Sequence, residues 1–198
     1  TDGTPAAPFP ERFVGLVVSG GHTSLYRVHP AGPKGKAGSM GPAPSGEERP
    51  ITLVAETRDD AFGEAFDKFG KRLGLPYPQG PHVDALAELG DAAAAPLSVA
   101  APGQELFFSY SGLKTQAVNA LEKLEAGGAR MPPMALFAEA PATALDAVPQ
   151  PLLDLAAGFR ESAVRQVLDR LTRLHRQQPF AELAVSGAGG TSRGAEPV

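Results

Sequence analysis

The chain has 198 residues, 42% of them hydrophobic, which is enough apolar material for one domain with its own core. Its 22 acidic against 18 basic side chains give a formal charge of −4, arguing against a surface that grips nucleic acid by charge alone, so any RNA contact must be local or supplied by a partner. The absence of cysteine excludes disulfides and thiolate metal sites, and no apolar run approaches the roughly 18 residues of a membrane span, so no membrane partner is expected.

Thr1 to Pro10 lack the basic start and apolar stretch of a signal peptide, which makes a cytoplasmic location the expectation. The chain opens without Met and reaches its first strand within a few residues, so its start reads as a truncation. Phe13 to Val18 is a short apolar run ending in Ser19-Gly20-Gly21, the pattern of a buried strand and a tight turn. Thr23 to Val28 alternates as a returning strand should, and Ile51 to Thr57 supplies a third. Between them, His29 to Pro50 is rich in Pro, Gly and Ser and reads as an expanded hairpin loop.

The period then changes from strand to helix. Phe62, Phe66, Phe69 and Leu73 make one apolar helix face, which Gly74 ends. Pro81 to Leu89 predicts a second helix, and Gly112 to about Glu125 a third, after the loop carrying Phe107-Phe108-Ser109-Tyr110-Ser111. Ala126 to Gln150 is Ala/Pro/Gly-rich and reads as an inserted loop with at most a helical turn around Met134 to Ala138. Pro151 suits a first helical position, and Leu152, Leu155, Ala156, Phe159, Ala163, Val167, Leu171 and Leu174 continue as the stripe of a long helix. Phe180 to Ser186 returns to a strand. The expected class is α/β, a three-strand meander followed by helices.

Four short elements could carry chemistry. In Ser19-Gly20-Gly21-His22-Thr23 two glycines let backbone N–H groups approach an anion, with the Ser19 and Thr23 hydroxyls as donors beside them; the bland alternative is an ordinary glycine hairpin. In Asp59-Asp60-Ala61-Phe62-Gly63-Glu64-Ala65-Phe66-Asp67-Lys68, the side chains of Asp60, Glu64, Asp67 and Lys71 share a face. Such a face is commonly only solvated, yet three carboxylates beside one terminal lysine repel one another unless a cation or donor is near. The turn Gly74-Leu75-Pro76-Tyr77-Pro78-Gln79-Gly80-Pro81 feeds a helix whose first turn is expected to carry Asp84, as a ligand contact or merely as a complement to the helix dipole. Ser111-Gly112-Leu113-Lys114-Thr115 resembles the end of a phosphate loop but lacks the earlier glycine, so a Walker-type site is rejected. His22, His29, His82 and His175 show no zinc-binding spacing, and there is no nucleophile elbow.

The order of these blocks, Val17-Val18-Ser19-Gly20-Gly21-His22-Thr23, Asp59-Asp60-Ala61 with Gly63-Glu64-Ala65-Phe66-Asp67-Lys68, Leu73-Gly74-Leu75-Pro76-Tyr77-Pro78, and Phe108-Ser109-Tyr110-Ser111-Gly112-Leu113-Lys114-Thr115, resembles the TsaD family, the tRNA N6-adenosine threonylcarbamoyltransferases once described as O-sialoglycoprotein endopeptidases. The resemblance treats residues 1–186 as one partial domain, with 29–50 and 126–150 as low-complexity loops and 187–198 as a divergent tail. It implies an incomplete actin-like ATPase fold of the ribonuclease-H-like type. It also implies transfer of a threonylcarbamoyl group from threonylcarbamoyl-AMP to N6 of the adenosine beside the anticodon. By the same resemblance, Val17, Val18, Ser19, Gly20 and Gly21 hold the phosphate side of the adenylate, while Asp67, Gly80 and Asp84 contact the nucleoside.

Family membership further implies one divalent metal, iron or zinc, and tRNA, bound through an assembly with an inactive actin-like paralogue and a small ATPase. The family's His-x-x-x-His pair and downstream metal-binding Asp have no counterpart in these residues, so the chain is expected to be inactive alone, and no residue is assigned as catalytic. Two departures concern the pocket: Gln79 replaces a glycine of the family's turn, and Ser192 falls near an expected nucleoside-binding Asn. Two alternatives are a non-catalytic actin-like scaffold, against which the retained Ser19-Gly20-Gly21-His22-Thr23 and Asp67 argue, and a small-molecule kinase of the same fold class, against which the Phe108 to Thr115 block argues.

Overall fold

The computed structural model describes residues 12–29, 50–99 and 105–187. The expected meander is present as β1 (Phe13–Val18), β2 (Thr23–Val28) and β3 (Ile51–Glu56), paired antiparallel. The fourth strand, β4 (Leu183–Gly187), lies parallel to β1, giving a mixed sheet in the order β3-β2-β1-β4. Leu16, Leu25 and Ala55 face one another across β1, β2 and β3 and are all buried, so the sheet's apolar row is continuous toward the helices. Between Leu25 and Tyr26 the register slips by one residue, a bulge of the kind that sharpens local twist.

Among the described residues six helices follow β3. The first, α1 (Phe62–Arg72), ends where expected: Gly74 has φ +78°, its N–H reaches the Lys71 carbonyl, and the Leu75 N–H reaches Gly70, which together close the last turn. The second, α2 (Gln79–Glu88), begins earlier than the sequence predicts, so Asp84 lies in its second turn rather than its first, and the helix-dipole explanation for that residue loses its basis. α3 (Ser111–Ala126) and α6 (Gln150–Gln177) match their stripes closely. In residues 126–150 the helical turn expected around Met134 to Ala138 is present as α4 (Met134–Glu139), but α5 (Pro141–Asp146) departs from the expected loop, and Phe137, Ala144 and Val148 are buried in the core. Three apolar anchors among many alanines and prolines suffice to order a segment that composition alone reads as loose. β4 begins at Leu183 rather than Phe180. The expected loop over 29–50 and the tail over 187–198 fall almost wholly outside the described residues.

Aromatic contacts join α1 to α6. Phe159 stacks on Phe69 with ring centroids 4.5 Å apart and meets Phe66 edge-on at 5.0 Å. Such pairs contribute about 0.5–1.5 kcal/mol each beyond their buried area. One turn of α6 passes so close to the 92–97 loop that a Cβ on Gly158 would overlap the Ala95 carbonyl.

The segment before α3 is held by polar groups of distant elements. Gln166 of α6 brackets Ser109, accepting from its N–H at 2.7 Å and donating to its carbonyl at 2.8 Å. The buried Arg170 donates to the Phe107 carbonyl at 2.9 Å and pairs with Asp169. Asp59, in the β3–α1 connection, accepts from the Ser109 and Ser111 hydroxyls at 2.5 and 2.7 Å and from the Tyr110 and Ser111 N–H groups at 2.8 and 3.2 Å. It thereby caps α3 from 50 or more residues away, where no side chain of the helix's own start does so.

Two outcomes follow for stability. Gly158→Ala should destabilise the fold by about 2 kcal/mol in urea unfolding, because a backbone carbonyl rather than a flexible side chain occupies the added methyl's place. Burial pushes the Asp59 carboxyl up, but the two serine hydroxyls and two backbone N–H groups outweigh it and leave the group below its ordinary value. Its contribution is therefore present above the unfolded value of about 3.9 and is lost as pH falls through the lower folded value. Asp59→Ala should lose about 1 kcal/mol at neutral pH, and the gap from wild type should close on acidification.

Candidate functional site

The β1–β2 turn closes on itself. The Ser19 N–H donates to the His22 carbonyl at 2.7 Å, and Ser19 Oγ accepts from the His22 N–H at 2.9 Å and from the Gly21 N–H at 3.3 Å. The Ser19 hydroxyl thus shapes the turn rather than standing free as an anion donor. Thr23 is likewise occupied: it is fully buried, and its Oγ1 accepts the Phe62 N–H at 2.9 Å at the start of α1. The sequence expectation of two free hydroxyls beside the glycines is corrected on both counts.

The glycines behave differently. Neither Gly20 nor Gly21 has positive φ, and a Cβ on either would meet nothing within 4 Å. Local backbone and packing therefore do not demand glycine at these positions, which weakens the ordinary-hairpin explanation. Gly63, by contrast, is required: its Cβ would stand 2.9 Å from Gly20 Cα, and its N–H donates to the Ser19 carbonyl at 3.2 Å. α1 consequently starts hard against the glycine turn.

From this contact one wall can be followed residue by residue. Asp67 is one turn along α1 from Gly63, and its Oδ1 accepts the Gly80 N–H at 2.8 Å, joining α1 to the first turn of α2. Asp84 is one turn further along α2, where its Oδ1 takes a 3.0 Å bond from Arg160 Nη1 of α6. The other oxygen of each carboxylate accepts no hydrogen bond from the described residues.

This wall belongs to an open cavity of about 840 Å³, within the range of small-ligand sites. Of the residues expected to bind substrate, Val18, Ser19, Gly20, Asp67, Gly80 and Asp84 line it; Val17 and Gly21 do not. Sequence reasoning missed Gly63, Arg160, Val164 and the β4 residues Val185, Ser186 and Gly187, and it read Phe62 and Phe66 only as core positions. Gly63 lay inside a recognised block, whereas Arg160 is 76 residues from Asp84 and carried no local signal. Gln79 does not enter the cavity lining; its Cβ and Cγ fill the space left open by Gly70, so the departure at that position is absorbed by helix packing. Ser192 lies outside the described residues.

The acidic face of α1 is neutralised more fully than expected. Asp60 binds Lys68 of α1 and Lys114 of α3, the latter at 2.8 Å, while Glu64 pairs with Lys68 at 2.9 Å and accepts the Ala61 N–H at 3.1 Å. Burial pushes the Asp60 carboxyl up, but hydrogen bonds from both lysines bring it below its ordinary value. The Ser111-Gly112-Leu113-Lys114-Thr115 block therefore works through Asp59 and Asp60 as a brace, and of the face's carboxylates only Asp67 reaches the cavity. Among the described residues no three His, Asp or Glu side chains converge, so these residues do not fit the divalent metal that the resemblance implies.

Comparison with known proteins bears on this arrangement. The family model described as TsaD, tRNA N6-adenosine threonylcarbamoyltransferase, matches residues 37–196. A tRNA N6-adenosine threonylcarbamoyltransferase of Anaeromyxobacter dehalogenans is 38% identical over 184 residues, which is 92% of this chain and 43% of the relative. Those of Burkholderia vietnamiensis and Burkholderia thailandensis are 36% and 38% identical over 94% and 95% of this chain, and 45% and 46% of their own lengths. The chain thus spans less than half the length of the curated relatives it matches. Its mixed sheet and surrounding helices agree with the actin-like ATPase-type fold expected from the resemblance. On the family match and on relatives aligned along nearly the whole chain, the protein belongs to the TsaD family of tRNA N6-adenosine threonylcarbamoyltransferases.

Proposed function

We propose that this chain supplies the adenylate-binding part of a tRNA N6-adenosine threonylcarbamoyltransferase, with the phosphate at the Ser19-Gly20 edge and the nucleoside toward Asp67, Gly80 and Asp84. The observation that carries the reading is Gly20, a glycine on the cavity wall that neither backbone conformation nor packing requires. Its bareness serves something that occupies the cavity, and no described residue engages its N–H. At the other end, the uncommitted oxygens of Asp67 and Asp84 are acceptors, the complement of ribose hydroxyls. Phe62 and Phe66, stacked 4.8 Å apart, give the cavity an apolar wall suited to a base.

The reaction moves the threonylcarbamoyl carbon from the phosphate oxygen of threonylcarbamoyl-AMP to N6 of the tRNA adenosine: the C–O bond breaks, a C–N bond forms, AMP leaves and N6 loses a proton. In this reading the chain's own residues bind and orient the adenylate, and none supplies proton transfer or carbonyl polarisation. The divalent metal, iron or zinc, would be held outside the described residues, as would the groups that meet tRNA. The chain by itself should bind nucleotide without turnover. In the whole protein we place the work in the cytoplasm, in an assembly with an inactive actin-like paralogue and a small ATPase. Among the described residues no helix is long and apolar enough to cross a membrane.

Two variants test this by isothermal titration with AMP and with a non-hydrolysable threonylcarbamoyl-adenylate mimic. Gly20→Val should keep stability within about 0.5 kcal/mol of wild type yet abolish measurable binding, since a Cβ there meets no protein atom within 4 Å and the residue lines the cavity. Asp67→Ala should weaken binding about tenfold or more, through the lost acceptor and the loosened Gly80. A folded wild-type chain that binds neither ligand, or a Gly20→Val variant that binds like wild type, contradicts the reading.

A further inference from the structure

Arg160 is the one cation among the described residues that line the cavity. Its Nη1 donates to Asp84 Oδ1 at 3.0 Å and to Glu88 Oε1 at 2.9 Å, and its Nη2 approaches the Ala87 carbonyl at 3.4 Å. Two roles are open to such a group: contact with an anionic part of the ligand, or control of a neighbour that makes the contact. Two carboxylates already share this single guanidinium, so the cluster carries net negative charge and attracts an anion poorly. It also sits at the Asp84 end of the wall, beyond Asp67 and Gly80 from the glycine turn. These bonds from Nη1 and Nη2 all go to α2, and what they hold toward the cavity is the Asp84 carboxylate, with Oδ2 left over.

We propose that Arg160 is a positioning residue, which fixes Asp84 so that its second oxygen accepts a ribose hydroxyl of the bound adenylate. The inference rests on the adenylate reading and adds to it a specificity-determining side chain from α6, 76 residues from Asp84 in the sequence. Free in solvent, the Asp84 side chain would distribute over its rotamers; tied at Oδ1 it presents one geometry, which lowers the ordering required when ligand binds. Asp84 and Glu88 are 59% and 68% exposed, and exposed ion pairs contribute little to stability, so loss of the guanidinium should leave the fold intact.

The test compares AMP with 2′,3′-dideoxy-AMP by titration of the 198-residue chain, as wild type, Arg160→Met, Asp84→Asn and the double variant. Met keeps the aliphatic stem while removing the charge. Wild type should prefer AMP by about tenfold or more, the contribution of hydrogen bonds to a charged acceptor. Arg160→Met should lose the share of that preference that Asp84 supplies, keeping the share from Asp67, while binding the dideoxy ligand as wild type does. Asp84→Asn should lose the same share, and the double variant no more than either single one. A preference undiminished by Arg160→Met, equal weakening of both ligands, or additive losses in the double variant would overturn the inference and leave the adenylate reading standing. A wild-type chain that binds neither nucleotide removes the reading itself.

Discussion

The structure depends on how closely α1 approaches the β1–β2 turn. Two backbone donors at the start of this helix are satisfied there, Phe62 by the buried Thr23 hydroxyl and Gly63 by the Ser19 carbonyl, while Glu64 of α1 itself takes the Ala61 N–H. The approach is possible only because Gly63 has no side chain, since a Cβ there would collide with Gly20. With that contact in place the remaining wall follows from helical geometry. Asp67 comes one turn later, its carboxylate fixes the start of α2 through Gly80, and Asp84 comes one turn after that. The α1 and α2 wall of a cavity bounded by two strand ends and three helix faces is therefore set by a single packing contact, and its carboxylates stand at intervals dictated by the helical rise.

Around this wall the two adjacent carboxylates of the β3–α1 connection act as a brace. Asp59 gathers the start of α3, and Asp60 gathers Lys68 and Lys114. Their positions explain why a Ser-Gly-Leu-Lys-Thr sequence that looks like a phosphate loop has no phosphate to bind: its serine and lysine are turned toward these acids. Gln166 and Arg170 of α6 hold the same segment from the opposite side. The polar residues at this junction order backbone rather than ligand, which leaves the cavity with few charged groups and makes the role of each one readable.

Periodicity and turn chemistry foretold the strands, the Phe62–Phe66–Phe69 stripe, the Gly74 cap and the long α6, because each rests on residues close in sequence. What stayed hidden was non-local. The capping of α3 by Asp59 and the bond from Arg160 to Asp84 join residues 50 or more positions apart, and the helices of 126–150 depend on burying Phe137 and Ala144 against elements elsewhere in the chain. The glycines show the same division. Gly20 reads as an anion-facing glycine and Gly63 carries no reading of its own, yet of the two it is Gly63 that the chain's own packing requires. The hydroxyls of Ser19 and Thr23, read as ligand donors from their place beside glycines, are taken by the backbone.

The bare edge at Gly20 and the acids on α1 and α2 are, in the proposed reading, two ends of one nucleotide site. A crystal structure of the chain with AMP tests this most directly. The account predicts a phosphate oxygen within about 3 Å of the Gly20 N–H, with the ribose hydroxyls against Asp67 and Asp84. AMP bound away from this wall, or lying in it with the phosphate at Arg160 and the ribose at the glycine turn, would contradict it.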